Sequence, residues 1–426
     1  MNLNEGPAVE SVEKAYALAK TAYKAFGINT DEALRSAIDI PISIQCWQGD
    51  DVTGFEGSVG SNGGLLATGN YPGRARNADE LRADAEFAFS LIPGKKRFSL
   101  HAIYAETGGK KVSRDELEIE HFKNWMAWSS KEKIPLDFNP TFFAHPNSDS
   151  GFTLSSADPK IRDFWIRHGK VSRVIASAFG ANQGSPAVND IWVPDGSKDL
   201  PADRLSPRQR LKDALDEILA VELKENTITD AVESKLFGIG SEAYVVGSHE
   251  FYMGYTVSKK IKLCLDTGHF HPTETISDKI SAAMLFVPGL LIHVSRGLRW
   301  DSDHVVIYSD ETRDLCREIV RQKFINRVDF SLDYFDASIN RIAAWSIGAR
   351  SLRKGLLEAL LEPRNLLVDA EKTGNYTERL ALMEEFKNLP IQAVWDKLCL
   401  DDGVPVGVNW MRKANQYEKD ILEKRK

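Results

Sequence analysis

The chain has 426 residues, 27% charged and 42% hydrophobic, with a formal net charge of −7. That is an ordinary globular composition, long enough for one elaborated barrel or two to three smaller domains. The anionic balance, with no Lys/Arg stripe before the closing Glu423-Lys424-Arg425-Lys426, argues against a nucleic-acid phosphate track.

In chain order, residues 8–37 read as two helices, the first Ala-rich over 10–25 and the second starting at Thr30-Asp31-Glu32. Residues 40–47 form a β-branched, apolar strand pattern. Residues 48–76 carry eight glycines and little periodicity, the mark of a long loop of the kind that is usually functional and often a lid. Helix and strand patterns then alternate: helices over 78–91, 113–131, 160–179 and 206–223, strands over 97–104, 135–138, 191–194, 231–237, 261–266, 290–295, 305–309 and 328–332. Regular βα alternation predicts a parallel sheet, and eight or so units over about 300 residues predict a closed (β/α)8 TIM barrel. No G-x-G-x-x-G follows the first strand, as an open dinucleotide-binding sheet would require. From Asn340 the pattern turns wholly helical, over 342–361, 378–388 and 393–398. The expected organisation is therefore a barrel over 1–340, including the N-terminal helices and the lid, and a C-terminal helical extension over 341–426 placed at subunit contacts.

Four cysteines, Cys46, Cys264, Cys316 and Cys399, are widely spaced without a CxxC pair, which fits free thiols in a reducing compartment. The N-terminus has no signal-peptide pattern, and the most apolar stretch, 281–294, is short and broken by Pro288-Gly289. A soluble, cytoplasmic protein with no membrane partner is expected.

Four of the nine histidines lie between His269 and His304, interleaved with Asp266, Asp301 and Asp303. Asp266, His293 and Asp333 each fall at or near the end of a strand pattern, and in a barrel such ends converge on one face. Carboxylates crowded there would repel one another unless a cation sat among them. Mixed carboxylate and imidazole donors suit Mn, Zn, Co or Fe better than Ca. Alone, each of these residues reads as a rim polar group; together, at successive strand ends, they read as metal ligands. The spacing suggests a deep site of Asp266, His293 and Asp333, completed by Glu233, and a shallower one of His269, Asp301 and Asp303. Lys235, two residues after Glu233, would face the same cavity. From periodicity alone Glu233 and Lys235 read equally well as a solvated helix turn.

The segments 233–242 (ESKLFGIGSE), 264–274 (CLDTGHFHPTE), 299–305 (RWDSDHV) and 332–341 (LDYFDASINR) resemble the L-rhamnose isomerase family. The resemblance runs over nearly the whole chain and is weakest after about residue 370. It implies a homotetrameric barrel that interconverts L-rhamnose and L-rhamnulose. It also implies a structural metal on Glu233, Asp266, His293 and Asp333, and a catalytic one, commonly Mn2+, on His269, Asp301 and Asp303. By the same resemblance Lys235 reaches the substrate, His101 meets the ring-oxygen region, and Trp192 and Phe335 line the sugar pocket. Trp47, at the end of the first strand, is a further expected wall. Taken alone, His101, Trp47 and Trp192 read as rim or core residues.

An aldose–ketose interconversion moves one hydrogen between C1 and C2 and one proton between the oxygens. Most carboxylates and imidazoles here are expected to be engaged as ligands, so a metal-assisted hydride shift is favoured over an enediol base, with Asp303 or metal-held water carrying the oxygen proton. The alternatives are a metal-dependent hydrolase on the same barrel and a non-enzymatic sugar-binding protein.

Overall fold

The computed structural model describes residues 6–56, 67–236, 242–299 and 301–425. The apolar, β-branched runs form parallel strands in chain order: β1 (Ile42–Gln45), β2 (Lys96–His101), β3 (Leu136–Asn139), β4 (Ala187–Trp192), β6 (Ile228–Glu233), β8 (Lys262–Asp266), β9 (Leu290–Val294) and β10 (Val328–Leu332). They close in the order β1-β10-β9-β8-β6-β4-β3-β2, an eight-stranded barrel, as the alternation predicts. Among the described residues two further strands, β5 (Gly196–Ser197) and β7 (Tyr244–Val245), pair antiparallel outside it.

Strand alternation sorts the side chains. Leu263, Leu265, Ile292, Phe330 and Leu332 join the large core between strands and helices. Their alternates, Val188, Ala231, Cys264 and Leu291, form a small separate layer inside the lumen. One step further towards the carboxyl ends, Glu233 stands opposite Trp192, and Asp266 opposite His293. The pleat that buries Leu265 against the helices thus also aims Asp266 at the barrel axis.

The helices start and stop where the chain supplies caps. Asn29 accepts from the amides of Asp31 and Glu32 to begin the helix Thr30–Asp39, and Asp158 with Pro159 begins Pro159–Gln183, which ends at left-handed Gly184. That long helix approaches β6 at Gly180, where a Cβ would lie 1.7 Å from the Thr227 carbonyl oxygen. The helix Arg341–Leu360 packs on the barrel, its Trp345 Nε1 donating to the Gln45 carbonyl at 2.9 Å. A second core joins the helix Val9–Lys24 to Ile391–Asp401 through Val12, Tyr16 and Tyr23 against Val394, Trp395 and Leu398.

Several expected elements differ. Residues 305–309 are not a strand: β9 pairs directly with β10, so the closed barrel has no slot for them, and Val305 and Val306 are buried on the way to the N-cap Ser309. The helix expected over 113–131 is two short 3-10 turns followed by Lys123–Glu132. Arg114 accounts for the break, because it is buried and bound to Glu56 and to the carbonyls of Thr141, Phe143 and Ala144. β4 begins four residues before the expected 191, and β2 ends at His101 rather than 104. Of the loop over 48–76, residues 57–66 lie outside the described residues, as does Phe237 of the strand expected over 231–237. Among the described residues no helix is long and apolar enough to cross a membrane.

Candidate metal centre

The carboxyl ends of β6, β8 and β9 and the residue after β10 bring Glu233, Asp266, His293 and Asp333 together, with one donor atom from each lying within 4.8 Å of the others. His293 Nδ1 stands 3.0 Å from Asp333 Oδ2, 3.3 Å from Glu233 Oε2 and 3.9 Å from Asp266 Oδ2. All four residues are buried. Glu233 Oε1, Asp266 Oδ2, His293 Nδ1 and Asp333 Oδ1 have no hydrogen-bond partner. Buried polar atoms left this way cost free energy unless something binds them. The donor set, three carboxylates and an imidazole converging on one point, fits a divalent cation.

Asp266 is aimed by its own turn. Its Oδ1 accepts from the Gly268 amide at 2.6 Å and from Ser295 Oγ at 2.9 Å, which leaves Oδ2 for the centre. Gly268 admits this packing, since a Cβ there would come 2.8 Å from Ser295 Oγ and 2.9 Å from Asp301 Oδ1.

His269 links this set to a second one. Its Nδ1–H donates to the Ser234 carbonyl at 2.8 Å and lies 3.0 Å from Glu233 Oε1, while Nε2 faces Asp301 Oδ2 at 3.4 Å. A backbone carbonyl on Nδ1 leaves Nε2 as the nitrogen able to hold a cation. Lys235 Nζ pairs with the same Asp301 Oδ2 at 2.6 Å and lies 4.9 Å from the Trp192 ring centre. Asp303 sits in the left-handed region at φ 42°, with its carbonyl accepting from the Phe335 amide at 3.2 Å. Its charge is felt by Lys235, and its carboxyl in turn feels Asp301, Asp333 and Asp266. By contrast, His271 bonds Thr273 near the surface, and His304 bonds Ser302.

The electrostatics are those of negative charges sharing protons. Burial, with Glu233, Asp333 and Asp301 adding to it against His269, pushes the Asp266 carboxyl up to about 7. Burial and Asp301 push Asp303 well up too. Burial opposes charge on His269 and His293, but the acids around them win and hold both well above the usual imidazole value. Glu233 is driven the other way: burial is outweighed by His293 and His269, and its carboxyl falls well below the ordinary range.

Aromatic walls flank the cluster. On one side Trp47 stacks on His101 at 4.3 Å between ring centres and meets Phe335 edge-on at 5.4 Å. On the other, Trp192 lies 5.2 Å from Phe143 and 6.3 Å from His269. The indole nitrogens of both tryptophans are buried and unpartnered. His101 is held by Gln45 Oε1 at Nε2 (3.1 Å) and by Thr141 Oγ1 near Nδ1 (3.3 Å). Burial lowers its pKa to about 3, so it is neutral at neutral pH.

The structure adds residues the sequence reading passed over. Asp190 and Cys264 lie against Glu233 and His293 in an overlapping group of donors. Asp190 falls just before the strand expected at 191, and Cys264 is two residues before Asp266. Strand periodicity alone would have put Cys264 on the same inner face. Ser295 and Gln45 position Asp266 and His101, and nothing in their local pattern marks them.

Comparison with known proteins agrees with this geometry. The family model described as L-rhamnose isomerase (RhaA) matches residues 10–425. A protein of Rhodopirellula baltica named L-rhamnose isomerase is 57% identical over 97% of this chain and 97% of its own length. Its namesake in Citrobacter koseri is 58% identical over 97% of this chain and 99% of its own. A match running from the first helix to the last residues at this identity decides the matter: the chain belongs to the L-rhamnose isomerase family.

Proposed function

We propose that this chain interconverts L-rhamnose and L-rhamnulose, moving hydrogen directly between C1 and C2. The observation that carries the reading is the buried, unpartnered donor set of Glu233, Asp266, His293 and Asp333, bordered by Lys235, Asp301 and two tryptophan walls. These four residues would hold a structural cation; His269, Asp301 and Asp303 would hold a catalytic one, Mn2+ by preference, with Zn2+ and Co2+ as substitutes. Bound there, a divalent cation supplies Lewis-acid polarisation of the sugar oxygens.

The protein groups do the rest. Lys235, a cation beside Asp301, binds the developing oxyanion end of the substrate. Asp303 would carry the proton between O1 and O2. Neutral His101, held by Gln45 and Thr141, would face the ring-oxygen region, and Trp47, Trp192 and Phe335 shape the pocket and exclude water. A hydride route is favoured because the acids and imidazoles able to act as a carbon base are the ones that would hold the cations. Family membership disfavours the hydrolytic alternative.

Three further features belong to the same reading. The chain works in the cytoplasm, where its four free, buried thiols would persist. It assembles as a homotetramer. The barrel unit spans 1–340, and the helical region 341–426 bears the subunit contacts through the helices that follow Arg341–Leu360.

The test is incubation of metal-reconstituted protein with L-rhamnose deuterated at C2. Ketose carrying the label at C1 is expected. Ketose with the label washed into solvent would sink the hydride route, and failure to form any ketose would sink the activity.

A further inference from the structure

A cavity of about 190 Å³ lies inside the barrel on the side away from the tryptophan walls. It opens at the amino ends of the strands beside exposed Pro41 and Pro186, passes Ser99 and Ser331, and ends at Asp190 and His293. At about 30 Å³ each, that is room for roughly six waters. Its walls are half polar: Arg97 pairs with Asp137 at 2.7 Å and Lys262 with Asp329 at 2.6 Å. Asp190 and His293 at its inner end belong to a group in which Asp190, Glu233, Cys264 and His293 each place a donor atom within 4.8 Å of the others. Asp190 is 4% exposed, and its Oδ1 has no partner although Asn139 donates to Oδ2 at 3.0 Å.

We infer that these four residues form an additional cation position, one side-chain layer below the centre described above and reached through the rear cavity. The inference rests on the metal-centre reading, because Glu233 and His293 belong to both sets. A cation here exchanges Asp266 and Asp333 for Asp190 and the Cys264 sulfur. Thiolate with imidazole and carboxylate selects cations of borderline softness, Zn2+ or Co2+ over Mn2+. On binding, the Cys264 S–H bond breaks, its proton leaves to water in the cavity, and the sulfur lone pair binds the cation; no redox change occurs. The position gives the deep site a loading path that does not cross the sugar pocket.

Co2+ is the probe, read by the near-ultraviolet thiolate-to-cobalt charge-transfer band and by equilibrium dialysis. Asp333→Ala should retain cobalt and show a stable band, and adding Cys264→Ser should abolish the band. Cobalt retained by Asp333→Ala without a thiolate band overturns the position. If Asp333→Ala does not fold by circular dichroism, stopped-flow loading of the wild type decides instead. A transient band lost in Cys264→Ser supports the position, and no band at any time overturns it. The route is tested with the front pocket filled by L-rhamnitol, where Ser99→Leu should slow cobalt loading about tenfold; an unchanged rate overturns the rear path. A wild type that retains no cobalt at all would instead end the metal-centre reading itself.

Discussion

Asp266 and Asp303 face the same cluster with different duties. Asp266 is locked by Gly268 and Ser295 with one oxygen left for the centre, so Asp266→Asn should lose the cation and the stability linked to it together. Atomic absorption after dialysis and a thermal melt check both; a variant that keeps its metal refutes the ligand assignment. Asp303→Asn should keep the fold while turnover falls about a hundred- to ten-thousandfold, as for a lost proton carrier, measured by ketose formation beside an unchanged melt. The pH behaviour of the metal-free protein follows from the proton sharing. Asp266 holds its proton to about 7 against an ordinary 3.8, so its contribution to stability is lost as pH rises between those values. His269 and His293, raised above 6.5, contribute below that value and lose it on the way up through their folded values. Glu233, lowered below 4.5, loses its contribution only as pH falls below 4.5. Within the cluster Asp266, His269 and His293 thus lose their contributions as pH rises, whereas buried His101, lowered to about 3, runs the other way below 6.5; cation affinity rises as the cluster's protons leave. Calorimetric titration with Mn2+ at several pH values checks this, and an affinity that falls towards pH 8 contradicts it. That Glu233, Asp266, His293 and Asp333 converge was legible because residues at successive strand ends of a barrel point at one face. Asp190 was not, since a strand start read late removed it from the inner face.

Elements depend on contacts that no local pattern reveals. Arg353, fully buried in the helix Arg341–Leu360, donates to the carbonyls of Ala37, Ile40, Pro93 and Lys95 and so ties that helix to the starts of β1 and β2. Arg353→Met leaves the carbonyls of Ala37, Ile40 and Pro93 without that donor and should cost about 3 kcal/mol. Urea unfolding checks it, and a loss under about 1 kcal/mol would show that water replaces the guanidinium. The same dependence explains where sequence reading succeeded and failed. Strands such as Leu290–Val294 are legible because five successive buried residues leave few alternatives. Residues 305–309 look the same locally and differ only because the barrel is already closed. The break at Arg114 depends on partners as distant along the chain as Glu56.

For the molecule as a whole, the N-terminal helices, the barrel and the C-terminal helices are joined through two hydrophobic cores, while the candidate metal centre sits at one mouth of the barrel. A cation that binds only the folded chain adds about 2.7 kcal/mol per site at a hundredfold excess over Kd. Chelation should therefore lower Tm by several degrees and re-addition of Mn2+ should restore it; a melt indifferent to chelator would show that the centre is not filled. The fold class was legible at this scale because alternating periodicities leave few topologies to choose from. The proposed tetramer was not, because nothing in one chain's pattern says which exposed faces would meet.

The thin apolar layer of Val188, Ala231, Cys264 and Leu291 has an evolutionary corollary. Most of the cohesion is carried by the outward faces of the strands, and nearly all of the reactivity by the inward ones. Because neighbouring residues of one strand serve these separate ends, lineages can retune the lumen for new sugars or new ions without renegotiating the scaffold.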